Sequence, residues 1–267
     1  MSSKKRIEIV ITGTPGVGKS TLVGALVGKP AAKTGHQMLR AESMARSTEH
    51  EMEGVEVVVW DSPGLQNGSE NEECLADLKG KCSNVSTVVY CIDISATRSS
   101  GLTAAEIAQN DQSTIQKLTT TFGSNWWKRS IFVMTRANVL ETALKVKPNV
   151  EKRFNDRLQD WKERIHATLI ETGVPEEVAY KMPVEPAGHR TKPRLPGREN
   201  WLSALWHVIL TSATLPSTAD HLQHNLSQGG RSGTAATVNL QGGQVKNSSL
   251  RSISEELMDR STCCNVM

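Results

Sequence analysis

Short apolar runs separated by polar or amphipathic stretches make up most of the first 213 residues. The runs are rich in β-branched residues and end at turn-forming residues, which is typical of strands buried on both faces. They predict strands at 7–12, 55–60, 85–93, 130–135 and, with a poorer pattern, 182–188, plus a weak candidate edge strand within 43–54.

Helical periodicity fills the gaps between these runs. It is clearest at 150–172, where one apolar stripe consists of Phe154, Leu158, Trp161, Ile165 and Leu169. Further helices are predicted at 19–28 and 197–210. Alternating strands and helices predict parallel βαβ units with right-handed crossovers. We therefore expect a three-layer α/β fold, with a mostly parallel sheet of about six strands and helices on both faces.

The composition changes near residue 214, which sets the expected domain boundary. Residues 214–267 are rich in Gly, Ser, Thr, Gln and Asn, and such a segment cannot bury enough apolar surface to offset its chain entropy. We expect one domain at 1–213 and a disordered tail at 214–267.

Charge, cysteine spacing and hydropathy argue against nucleic-acid binding, a zinc site and a membrane span. The chain has 31 Lys and Arg against 28 Asp and Glu, and this nearly balanced charge does not indicate a nucleic-acid-binding protein. Its five cysteines lack zinc-like spacing, and no run approaches the roughly 20 apolar residues of a membrane span. The N-terminus lacks the apolar core of a signal peptide. These observations predict a cytoplasmic protein.

The stretch GTPGVGKS, directly after the first strand, matches the phosphate-binding pattern G-x-x-x-x-G-K-[ST]. Glycines allow backbone amides to turn towards an anion, and the following helix directs its positive end at the phosphates. Lys19 is expected to neutralise phosphate charge, and Ser20 is expected to bind Mg²⁺. The predicted nucleotide-binding residues in this loop are Gly13, Thr14, Pro15, Gly16, Val17, Gly18, Lys19, Ser20 and Thr21. The loop alone leaves a kinase, an ATPase and a GTPase open.

A second motif, DSPG, ends the strand at 55–60 and favours a nucleotide switch over a kinase. Asp61 at this strand tip is suited to hold Mg²⁺ through water. The backbone amide of Gly64 is suited to contact a γ-phosphate and to move when that phosphate leaves.

A third motif, TRAN, follows the fourth strand, where GTPases carry [NT]-K-x-D and read the base. Thr135, Arg136 and Asn138 occupy that box, and Arg136 supplies the stem that lies over the base. The usual Asp accepts two hydrogen bonds from guanine, whereas Asn138 offers one acceptor and one donor group, so guanine preference should weaken. The backbone of Ala187 and Gly188 is a candidate contact for guanine O6.

In this order, the segments GTPGVGKST, VWDSPGLQ, TRAN and PAGH…LPGRENWLSALW resemble the immune-associated nucleotide-binding GTPases of the avirulence-induced-gene type, relatives of septins and chloroplast import receptors. The resemblance covers roughly residues 5–212. It implies a P-loop G domain, Mg²⁺-dependent binding of GTP and GDP, slow hydrolysis and a homodimer formed through the nucleotide face.

Two features predict slow turnover with help from a partner. Leu65 follows D-x-x-G where Ras-like enzymes place a water-orienting Gln, and Gln66 comes one residue later.

The Mg²⁺ ligand of the first switch remains open among Thr34, Ser47 and Thr48, of which we favour Thr48. The predicted catalytic residues are Lys19, Ser20, Thr48 and Gly64, and the predicted metal ligands are Ser20, Thr48 and Asp61.

The last residues, CCNVM, resemble a prenylation box at Cys264, although Asn265 is not aliphatic. Cys263 beside it is a candidate for palmitoylation. Because one lipid binds membranes only marginally, both cysteines are needed for a lasting anchor on the cytosolic face of a membrane.

The main hypothesis is therefore a membrane-tethered, slow GTPase whose nucleotide controls dimerisation. The alternatives are a nucleotide-gated assembly or scaffold module with little hydrolysis and, third, a P-loop kinase or ATPase.

Overall fold

The structure is a computed structural model that describes residues 5–28, 46–52, 55–65, 70–81, 85–95, 109–144 and 149–214. Its strands are β1 (Lys5–Thr12), β2 (Arg46–Met52), β3 (Val55–Asp61), β4 (Thr87–Asp93), β5 (Ser130–Thr135) and β6 (Val184–Pro186). Its helices are α1 (Lys19–Leu26), α2 (Glu70–Lys81), α3 (Gln109–Phe122), α4 (Ser124–Trp127), α5 (Ala137–Leu144), α6 (Val150–Glu171), α7 (Glu176–Ala179) and α8 (Trp201–Thr214).

The six described strands form one sheet in the order β2-β3-β1-β4-β5-β6. Every neighbouring pair is parallel except β2 and β3, which pair antiparallel at one edge. The weak pattern at 43–54 therefore does correspond to an edge strand. β5 is buried along its whole length and β4 along all but its last residue. Successive residues of a strand point to opposite faces of the sheet, so consecutive buried residues mean that both faces are covered. The predicted α/β fold is therefore confirmed.

Helix α6 packs by the predicted stripe. Its five predicted residues are all buried, namely Phe154, Leu158, Trp161, Ile165 and Leu169. Trp126 and Trp127 in α4 are also buried, and the Trp127 ring stacks 5.9 Å from Phe132 in β5. These two tryptophans therefore pack in the core, as their apolar character predicts.

The predicted start of the last helix is wrong by four residues, because α8 begins at Trp201 and not at 197. Leu195 and Arg198 exchange two backbone hydrogen bonds across a tight turn, at 3.0 Å and 2.8 Å, and Gly197 has a left-handed φ of 72°. Asn200 then caps α8, since its Oδ1 accepts from the amides of Leu202 and Ser203 at 3.1 Å each.

Several predictions fall outside the described residues. These are the tail beyond residue 214 with Cys263 and Cys264, the alternative switch residue Thr34, and Gln66. Among the helices that the structure describes, none combines the length and the apolar character needed to cross a membrane.

The cap of α8 gives a test of the fold around the last loop. Asn200→Ala should lower the free energy of unfolding by about 1 kcal/mol, because two amides of the first turn lose their acceptor. Asn200→Asp keeps an acceptor oxygen and is the matched control. Urea denaturation of the two variants checks this, and equal loss in both would contradict the cap.

Candidate functional site

The site forms where the parallel strands end. In the sheet register Asp61 of β3 stands beside Ile11 of β1, and Asp93 of β4 stands beside Thr135 of β5. The loops that follow these strands therefore meet at one edge of the sheet. In open α/β sheets this carboxyl edge is where ligands bind.

Glycine is required at both ends of the loop after β1. Gly13 has a φ of 139°, and a Cβ there would lie 2.5 Å from the Cys91 carbonyl oxygen in β4. Gly18 has a φ of 96° and precedes α1 in the left-handed conformation. No other residue type adopts both positions without strain, so the two glycines of the motif have a steric explanation.

Side chains of β5 and the next residue hold the loop from outside. The Thr135 hydroxyl donates to the Val17 carbonyl at 2.6 Å, and the Arg136 guanidinium donates to the Gly16 carbonyl at 2.7 Å. All described peptide bonds are trans, so each N–H points opposite to the C=O of its own peptide. Holding these two carbonyls therefore turns the Val17 and Gly18 amides to the other side, into the loop, as an anion site requires.

Lys19 lies across the same loop. Its Nζ donates to the carbonyls of Thr14 at 2.8 Å and Gly13 at 3.2 Å, and the residue is only 7% exposed. Burial lowers the pKa of the Lys19 ammonium from its usual value, while the charges of nearby groups, among them Asp61 and Asp111, act in the opposite direction. The loop thus combines inward amides with one buried cation.

The DSPG segment packs directly on the phosphate loop. The Ser62 amide donates to the Ile11 carbonyl at 3.0 Å, and the Leu65 amide donates to the Gly13 carbonyl at 3.2 Å. A Cβ on Gly64 would lie 2.6 Å from the Pro15 Cα, so any larger residue would push the two backbones apart. The Leu65 side chain is 2% exposed. Gly64 therefore allows the two loops to touch.

Candidate oxygen ligands for a cation come from three elements, α1, β3 and β2. Ser20 stands in the first turn of α1, and Asp61 ends β3, with its Oδ1 buried. Thr48 stands in β2 opposite Val59, two positions from Arg46, which is opposite Asp61. Ser47 is opposite Trp60, one position closer to the strand tip. Hydroxyl and carboxylate oxygens are ligands that suit Mg²⁺.

In the TRAN segment, Arg136 contacts both the end of β4 and the phosphate loop. Arg136 has a left-handed φ of 59°, and its guanidinium pairs with the Asp93 carboxylate besides holding Gly16. Asp93 also accepts from the Ser95 amide and hydroxyl, at 2.8 Å and 2.7 Å. Asn138 stands in the first turn of α5 and is partly buried. Arg136 is thus fixed between the end of β4 and the phosphate loop.

The loop after β6 reaches the same edge. The Ala187 amide donates to the Met134 carbonyl at 2.8 Å, and the Ala187 carbonyl accepts from the Ala137 amide at 3.0 Å. Because the Ala187 amide is used within the sheet, the Gly188 amide is the remaining candidate of the two for the predicted contact to guanine O6. A Cβ on Gly188 would come within 3.1 Å of the Trp201 Nε1, so this loop is closely packed.

Sequence reasoning missed two acidic residues near the site. Asp93 was read only as the end of a strand, and Asp111 in α3 was not singled out. Asp111 is 5% exposed and accepts from the Thr14 hydroxyl at 3.0 Å and the Tyr90 hydroxyl at 2.9 Å. A signal did exist, since Asp111 shares a helical face with Ile115 and Leu118, where an acidic residue is unusual.

Comparison with known proteins identifies a family and several relatives. A model of the AIG1 family matches residues 7–167. A curated relative, the translocase of chloroplast 34 homolog from Chlamydomonas reinhardtii, is 23% identical over 155 residues, which are 52% of this chain and 36% of the relative. The chain thus matches only about a third of that protein's length.

Solved structures of Toc33 from Arabidopsis thaliana share the fold. The complex with GDP and Mg²⁺ has a TM-score of 0.59 at 21% identity, and the complex with Mg²⁺ and GMPPNP has 0.60 at 20%; each covers 79% of this chain and 86% of the other. A further structure comes from work on the chloroplast translocon components atToc33 and psToc159, for which dimerization is described as important for GTPase activity. It has a TM-score of 0.61 at 21% identity, and the match covers 80% of this chain and 85% of the other.

The family match spans more than half of the chain and includes the phosphate loop, the DSPG segment and the TRAN segment. It confirms the resemblance drawn from these motifs. The chain belongs to the AIG1 family.

Proposed function

We propose that this protein binds guanine nucleotides with Mg²⁺, hydrolyses GTP slowly and uses the bound nucleotide as a switch. The observation that carries the proposal is the phosphate loop, where two carbonyls are held from outside by Thr135 and Arg136 and a buried Lys19 crosses the loop. Family membership and the nucleotide complexes of Toc33 support the same choice of ligand.

The residues fit a bound Mg²⁺ ion. Ser20 and Asp61 offer a hydroxyl and a carboxylate at the loop and at the neighbouring strand tip, and we propose Thr48 as a third ligand. Mg²⁺ uses few protein ligands and keeps several waters, so a set of this size is sufficient. When bound, the ion would neutralise charge on the β- and γ-phosphates.

The chain's own groups account for phosphate binding better than for hydrolysis. Lys19 and the inward amides can stabilise negative charge that develops on the phosphates. The Leu65 side chain is apolar and buried, so it cannot orient an attacking water. We infer slow intrinsic turnover, with the missing polar group supplied by a second copy across the nucleotide face. The importance of dimerization for the translocon GTPases supports this choice.

The burial of Leu65 also favours a second candidate function. A nucleotide-gated assembly module could hold GTP or GDP and barely hydrolyse it. In both cases Gly64 is the sensing residue, because its segment already touches the phosphate loop through Leu65 and Gly13. Turnover measured with and without dimerisation separates the two functions.

Base selection is proposed to rest on Arg136, Asn138 and the Gly188 amide. Arg136 is pre-positioned by Asp93 and the Gly16 carbonyl, so its stem is fixed before a base arrives. Guanine presents two donors to this position, where the usual Asp offers two acceptor oxygens. Asn138 offers one acceptor oxygen and one donor NH₂ group, so discrimination between guanine and other bases is weaker. Thr135 acts on the loop and not on the base, since its hydroxyl donates to Val17.

We further propose that the protein is tethered to the cytosolic face of a membrane by lipids on Cys264 and Cys263. The support is the C-a-a-X pattern at residues 264–267. Two lipids are required because a single chain gives only marginal binding.

The nucleotide proposal is tested by titration calorimetry on nucleotide-stripped protein. GDP should bind, and Lys19→Ala should weaken binding by about a hundredfold, since a charged group that contacts phosphate is lost. Asn138→Asp should raise GDP affinity about tenfold and reduce that of xanthosine diphosphate, which has an acceptor where guanine has a donor. Absence of any binding heat would refute the function, and equal base preference in both proteins would refute the role of Asn138.

The hydrolysis proposal is tested by single-turnover GTP hydrolysis at a series of protein concentrations. The rate should rise with concentration and approach the low monomer rate on dilution, because the second copy completes the site. Lys19→Ala should remain inactive at every concentration. A fast rate that does not change on dilution would contradict partner assistance.

The anchor proposal is tested by membrane fractionation of the full chain in an animal cell. Cys264→Ser should move the protein to the soluble fraction, because prenylation is lost. Cys263→Ser keeps the prenyl site and should leave partial, salt-independent membrane binding. A wild-type protein that is already soluble would exclude the anchor.

A further inference from the structure

Helix α3 contains a buried carboxylate to which the proposed chemistry assigns no role. Asp111 is 5% exposed, and a single oxygen, Oδ1, accepts from the Thr14 and Tyr90 hydroxyls. Burial raises the pKa of Asp111, and these two hydroxyls oppose that shift. An acidic group in such a place is costly unless its hydrogen bonds are made, so its partners matter.

One of those partners is the second residue of the phosphate loop. Thr14 is held at two points by different elements, its hydroxyl by Asp111 and its carbonyl by the Lys19 Nζ. The next residue, Pro15, has a fixed φ and packs against Gly64. The path of the loop from Gly13 to Pro15 is therefore defined by contacts that include α3.

One turn further along α3, Thr114 faces the other loop. Its hydroxyl lies 3.4 Å from the Leu65 carbonyl, a long hydrogen bond, and the Leu65 amide donates to Gly13. Asp111 and Thr114 are three residues apart and so share one face of the helix. The same face of α3 thus contacts the phosphate loop and the DSPG segment.

We propose that Asp111 is a positioning residue for nucleotide binding, which holds Thr14 and with it the phosphate loop in the shape that accepts phosphates. Through Thr114, α3 connects this loop to the segment that senses the γ-phosphate. The proposal rests on the proposed guanine-nucleotide function. It differs from a purely structural role, in which Asp111 would only satisfy Tyr90 in the core.

The test measures dissociation of a fluorescent GDP analogue from the full-length protein. Asp111→Ala and Thr14→Val should each raise the dissociation rate about tenfold, the effect of losing a hydrogen bond to a charged group. The double variant should dissociate no faster than the more affected single variant, because both remove the same contact. Asp111→Asn should restore most of the slow dissociation, since its amide oxygen can accept from both hydroxyls.

Tyr90→Phe is the matched control. It removes the other hydrogen bond to the same Asp111 oxygen, and the contact between the Tyr90 hydroxyl and Thr114, but leaves the Thr14 contact in place. It should lower the melting temperature while the dissociation rate stays within about twofold of wild type. If Asp111→Ala behaves like Tyr90→Phe, with lower stability and unchanged dissociation, Asp111 is only structural and the proposal is overturned.

Two outcomes separate this proposal from the one on which it rests. If the wild-type protein binds no GDP analogue, the guanine-nucleotide function itself fails. If the wild type binds and Asp111→Ala does not fold, Thr14→Val decides, and an unchanged dissociation rate in that variant overturns the positioning role alone.

Discussion

The direction of the peptide groups between Gly13 and Gly18 is the constraint on which this site depends. A phosphate-binding loop works only if its amides face the ligand, and in a trans peptide this requires the carbonyls to face away. Here the Val17 and Gly16 carbonyls are held from outside by Thr135 and Arg136. The Gly13 carbonyl accepts from both the Leu65 amide and the Lys19 Nζ. The shape of the loop thus depends on groups from neighbouring elements as well as on the motif's own Lys19.

The same neighbours link the segments that we propose to contact different parts of the nucleotide. Arg136 belongs to the TRAN segment, which we propose to contact the base, and it donates to Gly16 in the phosphate loop and pairs with Asp93 at the end of β4. Leu65 directly follows DSPG, which we propose to sense the γ-phosphate, and its amide donates to Gly13. Movement in either segment would therefore change the hydrogen bonds of the phosphate loop, which supports the proposed switch.

The site is better equipped to bind than to cleave. Preorganised amides and a buried ammonium group stabilise phosphate charge without further rearrangement. The position that could orient a water holds Leu65, whose side chain belongs to the core. This imbalance is why we propose slow hydrolysis and a second copy as the source of the missing polar group.

The sequence by itself determined the elements with local causes. The apolar runs at β1, β3, β4 and β5, the stripe of α6 and the glycines at 13 and 18 follow from burial, periodicity and backbone sterics, so they were predictable. The start of α8 was misplaced because the turn between Leu195 and Arg198 delays it until Asn200 provides a cap. The family was also visible in the order of the motifs.

Only the tertiary structure decided which side chains serve the loop. Asp111 meets Thr14 across 97 residues of chain, and Arg136 meets Gly16 across 120. Such contacts depend on the order of strands in the sheet and on where α3 packs, which no local pattern encodes. The same holds for Ala187, whose amide donates to Met134 of β5, so that only Gly188 keeps its amide as a candidate contact. The sequence shows which residue types are present, but which side chain contacts which part of the loop depends on how the strand ends come together.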